Sequence, residues 1–218
     1  MDISDKSFVA DLREKELIYN ELVKNSIDKV ILGTGHVLAF NLIDFLAKKG
    51  IKVSVNPKSS LIAKDKFAYK EELVKNGILT PKYMEIALDT EYNIQEILDK
   101  VGCPCVVKST IDTTYPKKAN TKEELEKHIE TIRKTNSPIV VEQFIEGIDT
   151  TVPVYSNPKE TKAILVSYYS KADACKLEGF GNDLIKGKLN KEVEEKLLRF
   201  SEDVIRKTNI LGMARLDI

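Results

Sequence analysis

The chain has 218 residues, of which 42% are hydrophobic and 31% charged, an ordinary composition for a folded protein of one large or two small domains. Lys+Arg and Asp+Glu both number 34, so the formal net charge is zero. Nucleic acid is thereby disfavoured as the main partner, because phosphate-backbone binding shows as a basic excess, but a local basic site for a small phosphate ligand stays open.

Phe8 to Val23 place apolar residues at helical spacing, which predicts a helix. A short strand, Val30-Ile31-Leu32, then runs into Gly33-Thr34-Gly35. Val37 to Leu46 carries a broad apolar face and closes at Gly50, as a helix does. Ile51, Val53 and Val55 alternate with Lys52 and Ser54 like a strand. Residues 29–56 thus read strand–helix–strand, which predicts a parallel pair. Residues 59–76 predict a helix closed by Gly77, followed by Pro81. Cys105 to Lys108 predicts a strand, and residues 121–134 a helix opened by Thr121-Lys122-Glu123-Glu124 in capping-box fashion. Ile139-Val140-Val141 is a further β-branched strand, with Gly147 after it. Strands are expected at 151–155 and 162–169, antiparallel and joined through Asn157-Pro158. A long amphipathic helix covers 190–208 and starts at Asn190. Met213 to Ile218 alternates like a strand.

Other features narrow the class. No apolar stretch reaches the ~18–20 residues a membrane span requires. The N-terminus has no basic segment leading into an apolar one, and three cysteines make no disulfide framework. A cytoplasmic protein is expected, with no membrane partner. Gly33-Thr34-Gly35 lacks the third small residue of a dinucleotide fingerprint, since Leu38 stands there, and it reads as a tight turn. Cys103-Pro104-Cys105 has too few companions for structural zinc. With two histidines, no nucleophilic triad can be defended.

What remains is a series of charges at strand and helix ends: Lys66, Lys108, Glu142, Asp149, Arg215 and Asp217, the last two on one face of the final strand. Singly, each reads as a solvated charge. In order, Asp65-Lys66 followed by Gly77-Ile78-Leu79-Thr80-Pro81, Pro104-Cys105-Val106-Val107-Lys108, Val141-Glu142-Gln143-Phe144-Ile145-Glu146-Gly147 and Gly212-Met213-Ala214-Arg215-Leu216-Asp217 resemble the ATP-grasp ligases. The likeness is to the carboxylate–amine ligases of the D-alanine–D-alanine type. Asn56-Pro57-Lys58 adds a likeness to carbamoyl phosphate synthetase.

The resemblance implies an α/β chain, α+β in part, with an ATP-grasp fold. Residues 1–80 would form a short Rossmann-like subdomain with a linker helix, 81–148 the small lobe, and 149–218 the large lobe, incomplete at the C-terminus. It implies ATP and Mg²⁺ as cofactors. Lys66 and Lys108 would meet the phosphates, with Lys171 a weaker candidate. Glu142 would accept from the adenine amino group, the backbone of Gln143 and Ile145 would read the adenine edge, and Asp149 would accept from the ribose. Arg215 would face the γ-phosphate and Asp217 would hold Mg²⁺. The reaction implied joins a small-molecule carboxylate to a nucleophile through an acyl phosphate, the substrate being an amino acid by the first likeness or, in a carbamate-type ligase, bicarbonate or carbamate by the second.

Three departures qualify that expectation. The chain stops one residue after Asp217, before the family's second metal-binding strand. Mg²⁺ would lose a carboxylate, and this polypeptide would turn ATP over weakly or not at all. The segment Ser109 to Pro116, expected to cover the phosphates, has no glycine. The N-terminal part holds a single strand–helix–strand unit. Both ends read as clipped, which suggests a fragment of a longer ligase; a truncated sheet edge at Arg215-Leu216-Asp217 would let two copies pair as a homodimer. The competing expectation is a non-catalytic nucleotide-binding module that keeps the hinge without a complete Mg²⁺ site.

Overall fold

Two short β-branched stretches and the helix between them set the first unit. The computed structural model describes residues 5–34, 36–111, 115–169, 184–186 and 189–218, and the chain divides into units Met1–Leu61 and Ile62–Ile218. In the first, β1 (Lys29–Val30) pairs in parallel with β2 (Lys52–Val53) across α2 (Val37–Lys48), as the strand–helix–strand order predicted, although β1 ends at Val30 and leaves Ile31 exposed. Gly50, just past the end of α2, takes φ +88°, a conformation glycine adopts without steric cost. Ile18 of α1 (Lys15–Lys24) packs with Leu42 and Leu46 of α2. α1 starts seven residues later than Phe8, because Asp11 accepts from the Arg13 amide and turns the chain there. Phe8 and Val9 are consequently exposed.

The second unit starts from a helix that breaks where one was expected. α3 (Pro57–Lys64) and α4 (Lys66–Lys75) part at Asp65, whose carboxylate accepts from the Phe67 and Ala68 amides at 2.8 and 3.1 Å and so caps α4. Residues 62–80, grouped by sequence with the N-terminal part, fall in this unit. Two elements without a predicted counterpart follow: β3 (Tyr83–Ile86) and α5 (Ile94–Val101). Next come β4 (Cys105–Ser109), β5 (Lys117–Ala119), α6 (Lys122–Arg133) and β6 (Ile139–Gln143). The strands form one antiparallel sheet in the order β3-β6-β4-β5. Thr121 caps α6 through the Glu124 amide, and Glu124 reaches back one residue further than a standard box, to the Asn120 amide.

Alternation gives this sheet two faces. Cys105, Val107, Ile139 and Val141 point to α5 and α6, where they meet Ile97, Val101, Leu125, Ile129 and Ile132. Each such fully buried aliphatic side chain contributes about 2 kcal/mol. The register pairs Val106 and Tyr83 with Glu142, and Lys108 and Glu85 with Val140, so all six share the opposite face.

The second sheet is built from β7 (Thr150–Ser156), β8 (Thr161–Ala163), β9 (Ser167–Tyr169), β10 (Leu184–Lys186) and β11 (Gly212–Asp217). Its order is β10-β9-β7-β11, with β8 also on β7, and every pairing is antiparallel. The single strand expected over 162–169 is thus two. α7 (Lys191–Lys207), capped by Asn190, lays Val204 and Ile205 on Val152, Val154 and Leu216. Leu73 of α4 and Ile78 join that same core.

Candidate functional site

The end of β4 fixes the start of α4. The Lys66 amide donates to the Thr110 carbonyl at 3.0 Å, and the Thr110 amide donates to the Pro138 carbonyl at 3.0 Å. The first residue of α4 therefore lies beside the backbone two residues past Lys108. Thr110 is buried, and its Oγ1 has no hydrogen-bond partner among the described residues.

On the sheet face opposite α5 and α6, a carboxylate holds two ammonium groups. Lys108 Nζ lies 3.1 Å from Glu142 Oε2, and Lys70 Nζ, from the second turn of α4, lies 3.4 Å from the same oxygen. Glu142 and Lys70 are buried, whereas Lys108 is 26% exposed, so it forms the solvent side of the cluster. Lys70 also donates to Thr80 Oγ1 at 2.9 Å and stands 5.1 Å from the centre of the Tyr83 ring. Burial pulls the Lys70 ammonium below the usual lysine range; Glu142 opposes that and Lys108 adds to it. At the edge of the cluster, burial and the hydrogen bond to Glu71 push the Tyr83 phenol up to about 12. Burial, with the charges of Asp65 and Glu71, raises Glu85.

β6 leads from this cluster into the segment joining the two sheets. The Gln143 amide donates to the Lys82 carbonyl at 2.8 Å, which limits that residue's backbone to its carbonyl for any ligand. Ile145 and Asp149 are exposed, Asp149 one residue before β7.

On the second sheet, Arg215, Asp217 and Thr151 share a face, because the register sets Asp217 opposite Thr151. Arg215 Nε lies 3.2 Å from Asp217 Oδ1, and its Nη2 donates to Oδ2 at 3.2 Å. The Thr151 hydroxyl donates to Oδ1 at 2.8 Å. Arg215 and Asp217 remain mostly exposed. Among the described residues, no three His, Cys, Asp or Glu side chains cluster as metal ligands.

Of the expected residues, Lys108 and Glu142 are in direct contact, Lys66 is tied to the same strand end through its backbone, and Arg215 and Asp217 pair with one another. Lys171 lies outside the described residues, as does part of the glycine-free segment at 112–114. Sequence reasoning missed Lys70, Thr80 and Thr151. Lys70 sits four residues after Lys66, one helical turn along, and that spacing was the available signal. Two surface depressions, of ≈ 270 Å³ beside the β7–β8 turn and ≈ 780 Å³ along β3, are lined by none of the expected ligand residues.

Comparison with known proteins places this architecture. The D-alanine–D-alanine ligase of Bacillus anthracis, solved as a complex with ATP, superposes with a TM-score of 0.77 at 26% identity, over 94% of this chain and 67% of that one. N5-carboxyaminoimidazole ribonucleotide synthetase of Thermotoga maritima has a TM-score of 0.73 at 22% identity, over 99% and 53%, and shares the fold. A D-alanine–D-alanine ligase of Carboxydothermus hydrogenoformans is 28% identical over 173 residues, 73% of this chain and 54% of its own length. The fold is ATP-grasp, as the ordered motifs implied. Within that class the chain belongs to the family described as D-ala D-ala ligase C-terminus, whose model matches residues 73–218. The chain spans about half the length of two curated relatives that match 73% of it, 54% and 55%, and about a third of others, 31% and 34%.

Proposed function

We propose that the chain is the ATP-binding part of an ATP-dependent carboxylate–amine ligase, with 81–148 and 149–218 as its two lobes. The observation that carries the reading is the Lys108–Glu142 pair on the sheet face opposite the helices, at the strand that runs into the inter-sheet segment. Glu142 would accept from the adenine amino group, the Gln143 carbonyl and Ile145 backbone would read the adenine edge, and Asp149 would hold the ribose. Lys66 and Lys108 would neutralise phosphate charge, and the Thr110 hydroxyl, without a partner among the described residues, fits an additional phosphate donor beside them. Lys171 is retained as a further phosphate ligand.

The donor set fits magnesium in part. Asp217 supplies a hard carboxylate oxygen, and Mg²⁺ is commonly held by one or two carboxylates with substrate phosphates. When bound, the ion would neutralise charge on the transferring phosphoryl group. Arg215, two residues away on the same face, would orient the γ-phosphate. A substrate carboxylate oxygen would then bond to the γ-phosphorus as the bond to ADP breaks, and an amine would displace phosphate from the acyl phosphate. The Bacillus anthracis and Carboxydothermus hydrogenoformans relatives are D-alanine–D-alanine ligases, which supports an amino acid as the carboxylate substrate.

Thermal unfolding with and without Mg·ATP tests the reading. At 100 times its dissociation constant the nucleotide should stabilise wild type by about 2.7 kcal/mol, and Lys108→Ala should lose most of that shift. A wild-type protein that Mg·ATP leaves unshifted would count against nucleotide binding. Binding without phosphate release on addition of D-alanine would favour the non-catalytic module.

A further inference from the structure

Glu142 is held from two sides by unequal partners. Lys108 approaches Oε2 from the more open side, at 26% exposure, and Lys70 approaches the same oxygen from the interior, at 7%. Both lysines make their closest approach to the carboxylate at Oε2, and among the described residues no hydrogen bond reaches Oε1. Lys70 is itself fixed by a second contact, the Thr80 hydroxyl at 2.9 Å, and by the Tyr83 ring beneath it. Its helix is anchored separately, because Leu73, three residues on, is buried in the core of the second sheet.

This asymmetry has a consequence for a shared lysine. A buried carboxylate left without a partner is strongly unfavourable. If Lys108 turns to a polyphosphate, it withdraws from Glu142, and a carboxylate without a second cation would be free to rotate. That rotation would misplace an acceptor for an amino group. Lys70 has no such alternative use, since it is enclosed by Glu142, Thr80 and Tyr83.

We propose that Lys70 is a positioning residue that holds the Glu142 carboxylate by Oε2, so that Oε1 faces the nucleobase as an acceptor and selects a purine bearing a 6-amino group over one bearing a 6-oxo group. The inference rests on the nucleotide-binding reading above. Lys70 touches no substrate; it acts through Glu142. Burial, which weakens the charged form of Lys70, is offset by the same carboxylate.

The test is the ratio of affinities for Mg·ATP and Mg·ITP, measured by calorimetric titration of the 218-residue chain. ITP keeps the ribose and triphosphate and replaces the amino group with an oxygen. Wild type should prefer ATP. Lys70→Met keeps the length of the stem and removes the charge. It should weaken ATP binding by about tenfold or more, the worth of a hydrogen bond to a charged group, and leave ITP within about threefold, so that the preference collapses. Equal weakening of both nucleotides would mark a merely structural role and overturn the proposal. An unchanged ratio in a folded Lys70→Met would overturn it too, while leaving the nucleotide-binding reading intact. A wild type that binds neither nucleotide would overturn both. Should Lys70→Met fail to fold by circular dichroism, Thr80→Val decides: it frees Nζ without removing it. A fall in the ATP:ITP ratio supports the proposal, and an unchanged ratio contradicts it.

Discussion

The Lys108 ammonium lies 3.1 Å from Glu142 Oε2, and the carboxylate it touches is buried far more deeply than the lysine itself. The two partners should therefore respond differently to removal. Glu142→Leu strands Lys70 in the interior and should cost about 3–5 kcal/mol. Lys108→Ala leaves Glu142 paired with Lys70 and should cost about 1 kcal/mol or less. Urea unfolding midpoints of the two variants check this; equal losses would mean that Lys70 does not compensate the carboxylate.

The cap at Asp65 couples helix stability to the position of Lys66. Two amides of α4 depend on its carboxylate. Asp65→Ala should lower stability by about 1 kcal/mol and weaken Mg·ATP binding severalfold, whereas Asp65→Asn, also a good cap, should restore both. Denaturation and nucleotide titration of the same preparations give the answer.

Asp217 and Thr151 set the expected dependence on magnesium. Asp217→Asn should make ATP affinity the same with Mg²⁺ and with EDTA. Thr151→Val removes the hydrogen bond that orients Oδ1 and should reduce the Mg²⁺ effect by about tenfold. Paired titrations in the two buffers read it directly.

Burial pushes the Cys105 thiol from 9.0 up to about 11. The folded chain keeps this proton where the unfolded chain has lost it, so the contribution to stability is complete below pH 9 and declines as pH rises toward 11. At pH 8, iodoacetamide should modify exposed Cys103 and spare buried Cys105 until the protein unfolds. Peptide mapping after timed alkylation follows both residues.

The elements that sequence reveals here are those whose pattern is local. Ile139-Val140-Val141 and Cys105-Val106-Val107 are β-branched runs, and α7 and α6 are opened by side chains that cap them, Asn190 and Thr121. α5 carries the same local signal, with Ile94, Ile97, Leu98 and Val101 at helical spacing behind an Asn93 cap. β5, Lys117-Lys118-Ala119, has no apolar signature and exists because β4 offers it a pairing edge. The site divides in the same way. Lys108 and Glu142 stand in recognisable strands, whereas the role of Lys70 depends on how α4 lies over a sheet formed later in the chain, and that of Thr151 on the β7–β11 register. Long-range geometry of this kind is invisible to periodicity.

The most direct measurement is a crystal structure of the chain with Mg²⁺ and a non-hydrolysable ATP analogue. The purine amino group should lie within hydrogen-bond distance of Glu142 Oε1, and the ammonium tips of Lys66 and Lys108 should converge on the phosphates. An analogue bound elsewhere, or those two lysines turned away from one another with no purine between them and Glu142, would contradict the account.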